Sequence, residues 1–162
     1  MQEVQYHAEY AAILSSLQGT YKWGERDCVT TAAKLINELT VGEYSEELRM
    51  EWHGHTYAKA MAHARKTHGS LEQAYFAGLE STGGCTAVTY SDVALLHINQ
   101  YAGSIAIARP PIKTVYGVVS DKYPALVFTD PAHAPWVWCE QGLMRCTEVG
   151  SVGSVHRLKY KD

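Results

Sequence analysis

The sequence predicts an α+β domain, with helices in the N-terminal part packed on an antiparallel sheet formed by the C-terminal part. Three observations predict it. Apolar residues recur at helical spacing up to about residue 84. From about residue 90 the period shortens to strand-like alternation, and the turns between those runs carry Gly, Pro, Asp or Asn. Helices first and strands later is the α+β order. The length of 162 residues suits one domain over 1–162, its helical part at about 1–84 and its sheet part at about 90–160.

Tyr6, Tyr10, Ile13, Leu14 and Leu17 share one face of a first helix that Gly19 ends. A loop over Thr20–Asp27 follows. The second helix runs from about Cys28 to Leu39, with Val29, Ala32, Ala33, Leu35, Ile36 and Leu39 as its apolar stripe. Asp27 is a natural N-cap, because its carboxylate can accept from an orphan N–H of the first turn. Residues 45–69 are polar and His-rich and predict one or two helices, the clearer at Tyr57–Lys66. Ser70 with Gln73 three residues on marks a further helix start, running to about Leu79 and stopping at Gly83-Gly84. Strands are expected at Val93–Ile98, Ser104–Ala108, Val115–Val119, Ala125–Thr129, Trp136–Cys139, Leu143–Cys146 and Val155–Leu158. Gln141-Gly142 reads as a tight hairpin turn and Arg109-Pro110-Pro111 as a strand exit.

A net charge of −3 argues against a broad electrostatic footprint for nucleic acid or anionic membrane. No apolar run is long enough to span a bilayer. The opening residues Met1–His7 have neither a basic nor an apolar leader region, so a secretory signal is not expected. Cys28, Cys85, Cys139 and Cys146 form no C-x-x-C pair and read as reduced thiols, although Cys139 and Cys146 could face each other across a hairpin.

Cys28 carries the chemistry the sequence offers. A thiol attacks only as thiolate, and a helix N-terminus stabilises that anion through its unpaired N–H groups. Gly24 lets the preceding loop turn sharply, and Trp23 and Tyr21 can wall a groove. Asp27 opposes activation as an adjacent anion unless its charge is spent on capping. A cysteine before a helix is also commonly a small buried apolar residue.

Tyr21-Lys22-Trp23-Gly24-Glu25-Arg26-Asp27-Cys28 resembles the nucleophile motif of NlpC/P60 peptidases, Tyr-x-Trp-Gly followed by Asp-Cys at the head of a helix. Ser91-Asp92-Val93-Ala94-Leu95-Leu96 looks like the first core strand of that family. The resemblance implies a papain-like fold, Cys28 as nucleophile, and Tyr21, Trp23, Gly24 and Asp27 around the substrate. The family's base histidine aligns best with Ser104, and serine cannot take a proton from a thiol near neutral pH. His97, near the end of that first strand, could reach Cys28 through a bulge or register shift; its plainer reading is a strand-end residue facing solvent. His133 and His156 have no specific support as bases, and His7 is expected on the wet face of the first helix.

The trailing strands resemble a divergent branch of this fold found in tail-module genes of tailed bacteriophages. That implies a virion component with other tail proteins as partners, made in the host cytoplasm, with a structural or assembly role. The alternative it implies is an active cysteine peptidase or amidase cutting peptidoglycan stem peptides during genome delivery. No cofactor is expected. His53, His55, His63 and His68 invite a metal reading, but His63 and His68 are five apart and share no helical face well, so a solvated segment without metal is expected. Trp136 and Trp138 alternate around Val137 and must face one side of their strand, as core or as a docking surface.

Overall fold

Four of the five helix starts are met by a side-chain cap. The computed structural model describes residues 3–88, 99–131 and 135–162. Helix α1 spans Glu3–Ser16, α2 Cys28–Leu39, α3 Glu46–His53, α4 Tyr57–His68 and α5 Leu71–Ser81. Asp27, Ser45, Thr56 and Ser70 cap α2, α3, α4 and α5, each accepting from the third residue beyond it. At α2 the cap is reciprocal, since the Thr30 hydroxyl also accepts from the Asp27 N–H at 3.0 Å. The His-rich stretch thus forms two helices, α3 and α4.

The strands are β1 Cys85–Val88, β2 Ser104–Thr114, β3 Gly117–Ser120, β4 Ala125–Phe128, β5 Trp136–Cys139, β6 Gly142–Arg145 and β7 Glu148–Leu158. Among the described residues they form one antiparallel sheet in the order β1-β7-β2-β4-β5-β6, with β3 paired to β2. Strict alternation sends Ile105, Ile107, Leu126, Phe128 and Trp138 to the helical side. There they meet the α1 and α2 stripes, including Tyr10, Leu35, Ile36 and Leu39. Ala106, Ala108, Val127, Val137 and Val155 face the opposite side and form a second cluster. Trp136 and Trp138 both pack against the helix-side core, which answers the choice between core and docking surface. Among the described residues no helix is long and apolar enough to cross a membrane.

Several sequence expectations are corrected. Arg109-Pro110-Pro111 lies inside β2, where the register against β7 shifts between Arg109 and Ile112; a bulge tolerates residues that cannot donate to the ladder. The β5–β6 turn is Glu140-Gln141, because Cys139 pairs with Gly142. Gly142 (φ +127°) opens β6, and a Cβ there would press on the Gly19 carbonyl at 3.0 Å. Cys139 and Cys146 sit at opposite ends of that hairpin, and all four cysteines are free. Val115 and Tyr116 belong to the β2–β3 turn. Cys85–Val88 was not expected as a strand. The expected strand Val93–Ile98, with His97, and also His133, lie outside the described residues.

Candidate functional site

The loop before α2 closes on itself through local bonds. Lys22 N–H donates to the Arg26 carbonyl at 3.0 Å, and Arg26 N–H returns a bond to the Lys22 carbonyl at 2.7 Å. Gly24, at φ +86°, makes this reversal and aims its N–H at Asp27 Oδ2, 2.6 Å away. Asp27 is fully buried. Its Oδ1 accepts from Thr30 N–H at 2.9 Å, and its Oδ2 lies 3.0 Å from His53 Nε2. Burial alone would raise the carboxyl pKa. The His53 bond, the Thr30 and Gly24 N–H bonds and the charge of His53 outweigh it, so Asp27 stays below the usual carboxylate range.

His53 is the last residue of α3 and reaches the cap from 26 positions away. Its ring meets the Trp23 indole edge-on, with centroids 4.8 Å apart. Trp23 in turn donates its Nε1–H to the His55 carbonyl at 2.9 Å and packs edge-on against Tyr57. The loop before Cys28 is therefore tied to the α3–α4 junction by two residues of one motif, Trp23 and Asp27.

Cys28 opens α2 and is partly exposed. Among the described residues its sulfur has one side-chain hydrogen-bond partner, the Tyr75 hydroxyl at 3.8 Å. Burial, and then the Asp27 anion, push the thiol up to about 12, against the Tyr75 bond and the Val29 and Cys28 backbone N–H groups. The helix terminus does favour thiolate here, but it is the weaker influence. Near neutral pH the thiol is therefore held in its protonated form. Cys28 behaves in this setting as a protonated polar wall residue.

That wall encloses a cavity of about 180 Å³. Tyr21, Trp23, Tyr57, Tyr75, Tyr123 and Trp138 line it with Cys28. Tyr75 is backed by a parallel stack on Trp52, with centroids 5.0 Å apart. Trp138 is held by its Nε1–H, which donates to the Thr31 hydroxyl at 2.7 Å. The structure thus brings together Tyr21, Trp23, Gly24, Asp27 and Cys28 as the motif suggests, and adds Tyr57, Tyr75, Trp138 and His53. Sequence reasoning missed these four as site residues; each is more than 20 positions from Cys28, on α3, α4, α5 or β5, and no local pattern links them to it.

Ser104, aligned with the family's base position, does not face Cys28. Its carbonyl accepts from Tyr10 at 2.6 Å, and it lines a separate cavity with His7, Arg157 and Tyr160. The C-terminal end of α2 reaches that region through a bridge from Thr40 to Tyr160. A 12-residue helix is about 18 Å long, so Cys28 and Ser104 serve opposite ends of α2. His7 is turned towards Tyr160 and Gly103, not onto the wet face. His156 is buried against Phe76 with Ser154 as its bonding partner. His55 and His63 stack at 5.0 Å, and among the described residues no three His, Cys, Asp or Glu side chains gather as metal ligands.

The chain belongs to the family described as a domain of unknown function, DUF6950, whose model matches residues 1–136. Neither the curated proteins nor the solved structures hold a match to it.

Proposed function

We propose that the chain is a bacteriophage tail component built on a papain-like, NlpC/P60-type domain, with a structural or assembly role and a silent nucleophile position. The single observation that carries the silent half is the surroundings of Cys28. Its sulfur is bonded to Tyr75, and the imidazole that reaches the same loop, His53, is bonded to Asp27. A cysteine hydrolase needs its base within reach of the sulfur, with the carboxylate behind the imidazole. Here the carboxylate caps the helix on which the sulfur sits. The Tyr-x-Trp-Gly and Asp-Cys motif, and helices preceding an antiparallel sheet, support the fold half of the reading. The tail context rests on the resemblance of the trailing strands. Phage carrying Cys28→Ala in this gene should assemble and infect at the wild-type titre. Normal particles that fail to breach the cell wall would overturn the structural role.

One observation favours the hydrolase alternative. Cys28 opens directly onto an aromatic-lined cavity, and the enclosed Nδ1 of His53 has no hydrogen-bond partner among the described residues. Under that reading Cys28 would cut peptidoglycan stem peptides, with His97 or His53 as base. Muropeptide digestion by the purified protein, lost in Cys28→Ala, is the result that would establish it.

A further inference from the structure

We infer that the cavity beside Cys28 binds a small organic ammonium group. Six aromatic side chains line it: Tyr21, Trp23, Tyr57, Tyr75, Tyr123 and Trp138. The negative faces of such rings attract cations, most strongly where water is excluded. A carboxylate stands at the cavity mouth. Among the described residues its lining contains no Lys, Arg or His, and the one charged lining residue among them is Asp121, exposed in the β3–β4 turn at the rim. The Asp27 carboxylate behind Cys28 is spent on the α2 cap and on His53. The positive end of α2 is already met by that carboxylate, so it does not offset the field for a ligand.

The rim already holds one cation in this manner. The Arg65 guanidinium lies 5.2 Å from the centre of the Tyr123 ring, which leaves the inner five rings for a ligand. At about 30 Å³ per water, a cavity of about 180 Å³ has room for roughly six waters, enough for a trimethylammonium group or for a lysine ammonium with part of its alkyl stem. The walls are held in place without a ligand by the Trp23–His55 and Trp138–Thr31 bonds and by the Trp52–Tyr75 stack. Such preorganisation lowers the ordering cost of binding.

This inference goes beyond the structural role and does not rest on it, because binding is read on the isolated chain. Choline would be titrated by calorimetry and by the fluorescence of the wall tryptophans, in parallel with 3,3-dimethylbutan-1-ol, its uncharged isostere, and with Nα-acetyl-lysine methylamide. Saturable binding at millimolar choline is expected, with the isostere at least about fivefold weaker. Asp121→Asn and Tyr57→Leu, both at exposed positions, should each weaken choline by about threefold or more while circular dichroism stays unchanged. Tighter binding of the lysine amide than of choline would identify the source as a lysine of a partner protein; the reverse would identify a free quaternary amine. The inference is overturned if neither cation saturates, if the isostere binds as tightly as choline, or if both substitutions leave binding unchanged.

Discussion

The two ends of α2 are finished by different means. At the N-terminal end, side chains do the work: Asp27 receives bonds from Gly24, Thr30 and His53, and an aromatic cavity remains open beside Cys28. At the C-terminal end, backbone pairing does most of it, together with the Thr40 hydroxyl, which donates to the Ile36 carbonyl at 2.7 Å. Thr40 bridges to Tyr160, Lys161 N–H donates to the Leu39 carbonyl at 3.1 Å, and Lys159 N–H to the Gly84 carbonyl at 2.8 Å. The cavity there is lined by polar and charged groups such as Glu3, His7 and Arg157. That end tolerates change in most side chains but not at Gly42 and Gly84, where a Cβ would press into the Gly84 backbone and stand 2.5 Å from the Thr40 hydroxyl, respectively. The Cys28 end depends on particular side chains, and a substitution there changes both the fold and what the cavity can hold.

Asp27→Ala tests that contrast most severely. It removes the cap and leaves the groups around His53 without their anion, and breaking a buried pair of this kind costs about 3–5 kcal/mol. Urea denaturation should show the loss directly; a change within about 0.5 kcal/mol would mean the two ends are not so different.

The sheet carries a buried titratable group of its own, on β7. Burial holds the His156 imidazole down at about 4, against 6.5 for an unperturbed histidine. The unfolded chain therefore takes up the proton first as pH falls. Stability should be full above about pH 6.5 and decline towards pH 4, by about 3 kcal/mol in all. His156→Leu should flatten that slope. Asp27 acts in a lower window, because its depressed pKa means its contribution is lost only as pH drops through the folded-state value.

Alkylation of Cys28 in the native protein gives a smaller effect. With the thiol pushed up to about 12, iodoacetamide at pH 8 should react at least about fiftyfold more slowly than with an exposed cysteine, even after allowing for the greater nucleophilicity of a high-pKa thiolate. A rate equal to that of free cysteine would place an activating group beside the sulfur and favour the hydrolase reading. Tyr160→Phe is the mildest probe. It removes the bond from the Tyr160 hydroxyl to the Gly103 carbonyl, 3.0 Å, and keeps the stack on Tyr6, so about 1 kcal/mol should be lost.

Much of the fold was legible because its signals are local. The bounds of α2 follow from one cap and one apolar stripe, and β5 from alternating indoles. Cys85–Val88 was not legible, since Thr86 and Ala87 are exposed and only pairing with β7 makes the segment a strand. The prolines of β2 likewise suggested an exit where the ladder instead bulges around them.

The sequence by itself determined the order of helices and strands, the Asp27 cap and the position of Cys28 at a helix start. These are set within a few residues by hydrogen-bond geometry and hydrophobic period. Only the tertiary structure decided which side chains meet at the thiol: Tyr75 from α5 at its sulfur, and His53 from α3 at its neighbour Asp27. It also decided that Ser104 lines a separate cavity with His7, Arg157 and Tyr160. The physical reason is range. Capping and periodicity act over three or four residues, whereas the burial of Cys28 and the hydroxyl at its sulfur are set by groups such as Tyr75, 47 positions away, that only packing brings together.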